Sequence, residues 1–178
     1  NGARINQHLM KGTFKEGLKL IPGIEEKLTE YSIFVDRHRI LVFNYKFATL
    51  YFGSGNYDKA IDFLLKIING PLDLRIDLQC YARLLHLMCH YELKNYELIE
   101  SLTKSVYRFM AKMKNLTVVE EEIFRFLKHS FGVPPSTLKP ELEKLLHKIK
   151  HLEKSRHETR SLAYLDIISW IEAKVYNK

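Results

Sequence analysis

The chain has 178 residues, enough for one compact domain or a short solenoid and too few for several domains. Hydrophobic residues make up 46% of it, which supplies a sizeable core, and no apolar run approaches the ~20 residues of a membrane span. The net charge of +7 is spread as +3 over residues 1–89 and +4 over 90–178, so charge balance alone marks out no nucleic-acid-binding half.

The chain opens Asn1-Gly2 without an initiator Met, which predicts the C-terminal part of a longer protein. Thr13-Phe14-Lys15-Glu16 fits a capping box. Phe14, Leu18, Ile21, Ile24, Leu28 and Tyr31 then recur at steps of three and four, one face of a helix. Pro22-Gly23 interrupts that face and predicts a kink, or else two short helices. The apolar stretch Tyr31 to Val35 is too short to form a sheet alone and reads as a buried connection. Asp36 is placed to cap a helix over 37–53, and Gly53-Ser54-Gly55-Asn56 is a turn into a helix over 57–69. Asn69-Gly70-Pro71 stops that helix.

Asp73 is expected to cap a helix over 74–93, and Lys94-Asn95 breaks it from the next, 96–114. Thr117-Val118-Val119-Glu120 is a second capping box, opening a helix over 118–131 that ends at Gly132-Val133-Pro134-Pro135. Helices over 138–153 and 158–176 complete a count of about eight. Cys80 and Cys89 lie nine residues apart on one helix, on opposite faces, and cannot bridge within it. A reducing, cytoplasmic setting is the simplest expectation.

One unit recurs. Ala48-Thr49-Leu50-Tyr51-Phe52-Gly53-Ser54-Gly55-Asn56-Tyr57-Asp58-Lys59-Ala60 ends a helix in an aromatic pair, turns at glycine and restarts with Tyr-x-x-Ala. Tyr96 repeats the turn 39 residues after Tyr57, with Ile99 in the small position, and Phe14 precedes Tyr57 by 43, with Gly17 there. The unit resembles the tetratricopeptide (TPR) repeat, through Ala48, Tyr51, Gly55, Tyr57 and Ala60. Its spacings exceed the roughly 34 residues of a regular TPR. Residues 45–131 and Ile167-Ile168-Ser169-Trp170-Ile171-Glu172 are also similar to a group of uncharacterised bacterial TPR-like proteins. The resemblance implies an all-α fold in which antiparallel helix pairs stack as a short solenoid over residues 1–178. It implies a first repeat whose leading helix is mostly missing, and a protein or peptide partner.

Candidate chemistry is sparse. His86, Cys89 and His90 are zinc-ligand types at spacings of three and four, yet no fourth ligand is evident and the His-Glu-x-x-His pattern is absent. They read as packing residues at a helix interface, with no metal or cofactor expected. His147 and His151 form a second such pair among Lys144, Lys148, Lys150, Lys154, Arg156 and Arg160, where positive charge repels a cation. Residues 144–160 carry a local +4 but no interleaved aromatic for base stacking, so a basic array binding RNA or DNA is the alternative function. No phosphate loop, dinucleotide fingerprint or nucleophile elbow is present, and no enzyme activity is expected.

In the TPR alignment the inner face carries Tyr45, Lys46, Thr49 and Phe52, then Tyr81, Leu84, Met88 and Tyr91. Tyr45, Thr49, Phe52, Tyr81, Met88 and Tyr91 are the expected protein-binding residues, since aromatic and Met side chains offer large contact areas. The positions at which some TPR domains grip a C-terminal carboxylate hold Val42, Tyr45, Tyr81 and Leu84, which argues for a hydrophobic ligand instead.

Overall fold

The computed structural model describes residues 2–73, 75–130, 133–155 and 157–176. Their regular structure is entirely helical, in eleven helices and with no strand among the described residues. The chain divides into two units, residues 1–95 and 96–178.

The first unit holds α1 (Gly2–Lys11), α2 (Phe14–Leu18), α3 (Ile21–Glu30), α4 (Arg37–Gly53), α5 (Tyr57–Ile68) and α6 (Ile76–Glu92). Helix α4 is apolar on nearly all sides, and such a helix must be surrounded. It packs against α1, α2, α5 and α6, and buries Leu41, Tyr45, Phe47, Ala48 and Leu50. Phe47 meets the Phe63 ring edge-on at 5.4 Å, and Tyr51 stacks on the same ring at 5.6 Å. Ala48 and Ala60, the small residues of the repeat pattern, are both fully buried. Gly17 holds the small position of the preceding pair: a Cβ there would lie 2.7 Å from Leu50 Cδ2 and 3.1 Å from His8 Cβ. At Gly53 a Cβ would lie 2.5 Å from Phe14 ring atoms.

Helix α6 is buried without a break from Leu78 to Ala82. Gln79, fully buried, donates from Nε2 to the Ile67 carbonyl at 2.6 Å, a second donor from α6 to a carbonyl that the Gly70 amide meets at 3.0 Å at the end of α5. Arg83 in turn donates to the Gln79 carbonyl oxygen at 3.2 Å and to its Oε1.

Helix ends share one backbone device. Gly12, Gly55, Lys94 and Lys114 take positive φ, at 67°, 82°, 60° and 53°. After each, an amide reaches back five residues: Thr13 to His8, Asn56 to Tyr51, Asn95 to His90, Asn115 to Met110, at 2.9–3.1 Å. The amide of the left-handed residue bonds three residues back in each case, which completes a Schellman motif. Three of these turns coincide with the sequence repeat, so its periodicity reflects a common way of ending a helix.

The second unit holds α7 (Tyr96–Lys112), α8 (Val118–Ser130), α9 (Pro135–Leu152), α10 (Thr159–Tyr164) and α11 (Ile167–Tyr176). Within it α7 packs on α8, α8 on α9 and α9 on α11. Ile99, Thr103, Val106 and Met110 form the buried stripe of α7. Glu122 on α8 accepts from Lys148 of α9 at 3.0 Å and from Arg125, and Lys150 of α9 pairs with Glu172 of α11.

Several local expectations are revised. Pro22 sits in the first turn of a separate helix, so two short helices replace the kinked one. Thr13 makes no cap hydrogen bond, because α1 brings His8 Nδ1 to 2.8 Å from its hydroxyl. Residues 31–35 are not a buried connection: Tyr31, Ile33 and Phe34 are exposed. Helix α6 begins at Ile76 with no side-chain cap, not at an Asp73 cap; residue 74 lies outside the described residues, as do 131 and 132. The expected helix over 158–176 breaks at Leu165-Asp166, where Asp166 Oδ1 accepts from the Ser169 amide at 3.1 Å and starts α11. Asp36 caps α4 as expected, accepting from the His38 amide at 3.1 Å.

Two outcomes test these contacts. Lys94→Gly and Lys114→Gly should each stabilise the fold by about 1 kcal/mol, since a left-handed φ strains any residue bearing a Cβ, and Gly55→Ala should destabilise by a similar amount. Denaturant titration measures both signs. Gly53→Ala should cost about 1–3 kcal/mol through the clash with Phe14, outweighing any gain in helix propensity, and the cost should largely vanish in a Phe14→Ala background.

Candidate functional site

The expected binding face is split by burial. Tyr45, Tyr81 and Met88 are 5%, 1% and 1% exposed, so they pack the core and present no surface to a partner. Leu84 is buried with them. The reason is that α4 and α6 pack against each other and against α5, so the face that would line an open groove is closed. Thr49, Phe52 and Tyr91 remain half-exposed. The Thr49 hydroxyl is already committed to the Tyr45 carbonyl at 2.9 Å, and the Phe52 ring meets Tyr57 edge-on at 5.4 Å. Lys46 is half-buried with its Nζ 5.9 Å from the Phe43 ring centroid.

Among the described residues outside the N-terminal helix, the two most exposed large apolar side chains, Ile33 and Phe34, lie elsewhere, in the turn between α3 and α4. Ile33 is 90% exposed, Phe34 86% and Tyr31 50%. The turn is held by the Phe34 and Val35 amides, both donating to the Tyr31 carbonyl at 2.9 Å. The signal was present in the sequence as an apolar stretch between Glu30 and the Asp36 cap. Its side chains could not be assigned inward or outward without the packing around it.

The His86–Cys89–His90 cluster is also divided. On a helix these residues span an arc of about 100°, and the edge of the core falls within it. Cys89 is fully buried, and burial pushes its thiol up to about 12. His86 and His90 are only partly buried. Their Nε2 atoms lie 3.2 Å apart with the rings nearly perpendicular, and Asn95 Nδ2 lies 3.0 Å from His90 Nδ1. Burial, then the neighbouring His90 and Arg83, lower the His86 pKa to about 4. Burial lowers His90 as well, opposed by Asp58. Among the described residues no group of three or more His, Cys, Asp or Glu side chains is arranged to hold a metal ion.

The basic helix is largely neutralised. Lys144 pairs with Glu141 at 2.9 Å, Lys148 with Glu122 at 3.0 Å, and Lys150 with Glu172. A recess of about 760 Å³ lies between α8 and α9, with Phe126, Pro140 and Leu145 in its wall and Glu122, Arg125 and Lys148 among the charges there. Carboxylates beside these cations reduce the field a phosphate backbone would meet. His147 and His151 are exposed. Arg156 and the Arg160 side chain lie outside the described residues.

No protein-family model, curated protein or solved structure matches the chain.

The His86 shift has a direct consequence. The folded state holds this ring neutral down to about pH 4, while an unfolded histidine takes up its proton near 6.5. Between those values the unfolded chain binds more protons, so stability falls as the pH is lowered through that window. The thermal midpoint should decline from about pH 7 to about pH 4, and His86→Gln should flatten that decline.

Proposed function

We propose that this chain is a non-catalytic helical-repeat scaffold that holds a protein or peptide partner, its helix pairs stacked as a short TPR-like solenoid. The observation that carries the reading is the pair Ile33 and Phe34, almost fully exposed on a hydrogen-bonded turn. Adjacent large apolar side chains displayed in this way are a signature of a contact site. The repeated turns at Gly12, Gly55 and Lys94 support the helix-pair plan. Thr49, Phe52 and Tyr91 offer further, smaller contact area. The rival reading, RNA or DNA binding through residues 144–160, is weakened by the carboxylate partners of Lys144, Lys148 and Lys150.

Burying a large apolar side chain is worth about 1.5–3 kcal/mol. Ile33→Ser with Phe34→Ser should therefore weaken partner binding at least about tenfold. Neither change touches the core, so the fold should be retained. The measurement is a pull-down from the source organism's lysate at two salt concentrations, with and without nuclease. Protein that survives salt and nuclease, and is lost with the double variant, is the expected result. Nucleic acid alone, released by salt and by Lys144→Glu, Lys148→Glu and Lys150→Glu together, would establish the rival instead.

A further inference from the structure

We infer that His86 and His90 form a two-imidazole site for a late first-row transition-metal ion, such as Cu²⁺, Ni²⁺ or Zn²⁺, at the edge of the α6 core. The site differs from a structural zinc centre, which needs four protein ligands and would draw in Cys89. Here two nitrogens chelate and the remaining positions fall to water or to a group brought by a partner.

The geometry carries the inference. Nitrogen ligands roughly 2.0–2.1 Å from a tetrahedral ion lie about 3.3 Å from each other. The two Nε2 atoms are already 3.2 Å apart. One turn of helix sets that spacing, and both residues lie within the hydrogen-bonded span of α6, so little backbone ordering is needed to bind. Asn95 supplies the outer support. In the structure Asn95 Nδ2 donates to His90 Nδ1 at 3.0 Å; a half-turn of the amide on metal binding would present its oxygen to the same nitrogen, take the Nδ1 proton and leave Nε2 free to ligate.

Charge and burial are compatible. Metals bind the neutral imidazole, and both rings sit partly buried at the edge of the core. Arg83 adds positive charge on the His86 side, held back by its bonds to Gln79, while Asp58 of α5 adds negative charge on the His90 side. Cys89 stays out, fully buried in the core. The second histidine pair, His147 and His151, has the same sequence spacing but stands exposed on the lysine-rich face of α9, which makes it an internal control.

The test is titration of untagged protein with Cu²⁺, Ni²⁺ and Zn²⁺ salts by calorimetry, with electron paramagnetic resonance of the Cu²⁺ form. Wild type should bind a single equivalent, tightest for Cu²⁺, with a nitrogen-coordinated copper signal. His86→Gln with His90→Gln should abolish the site, and Asn95→Ala should weaken it roughly tenfold. Cys89→Ala and the pair His147→Gln with His151→Gln should leave it unchanged. Absence of a saturable site in wild type would overturn the inference. So would binding that follows His147 and His151, or that is lost with Cys89→Ala in a protein that remains folded. If the His86/His90 double variant unfolds, the copper signal of wild type and the Asn95→Ala affinity still decide the matter.

Discussion

The first unit depends on enclosing α4. Its seventeen residues show apolar side chains on nearly every side, so no single neighbour can cover it. Four helices contribute, and for α2 and α5 the residues that yield or fill the space can be named. Gly17 lets α2 sit against Leu50, and Gly53 receives the Phe14 ring. Phe63 of α5 takes Phe47 and Tyr51 together. Tyr45 is absorbed into the same core. A helix packed this way cannot also serve as the lining of an open groove.

Connections between helices obey a more local rule. A Schellman turn satisfies carbonyls at a helix end and reverses the chain within a few residues. Gly12 and Gly55 do this without strain, whereas Lys94 and Lys114 do it with a Cβ in the left-handed region. In the second unit ionic contacts add to apolar stripes. Glu122 gathers Arg125 and Lys148, and Lys150 reaches Glu172. The cations in these pairs are about half exposed or more, and ion pairs open to solvent on one side contribute little each to stability. Their larger effect is to spread charge evenly over helices whose sequence looks strongly basic.

What remains outside the core defines where chemistry and contact can occur. Ile33 and Phe34 stand in solvent because a short turn between two capped or buried helices has no neighbour to fold onto. His86 and His90 lie at the margin of α6, partly buried and still open enough to be reached. The same margin separates them from Cys89, one residue and about 100° away from His90.

Helix positions were legible in the sequence because they rest on short-range chemistry. The Asp36 cap, the Gly55 turn, the Asn69-Gly70-Pro71 stop and the small residues at Ala48 and Ala60 act within a few residues, and the helices from α4 to α8 fall close to where periodicity puts them. Burial of each face was a different kind of question. Tyr45, Tyr81 and Met88 carry the residue types of a contact surface, and nothing local distinguishes such a residue from a core residue. Only the packing of α4, α5 and α6 decided that they are inside, and only the isolation of the α3–α4 turn decided that Ile33 and Phe34 are outside. The loss of the Thr13 cap to His8 has the same origin. A side chain chooses between a backbone amide and a neighbouring ring according to what the tertiary fold brings within reach.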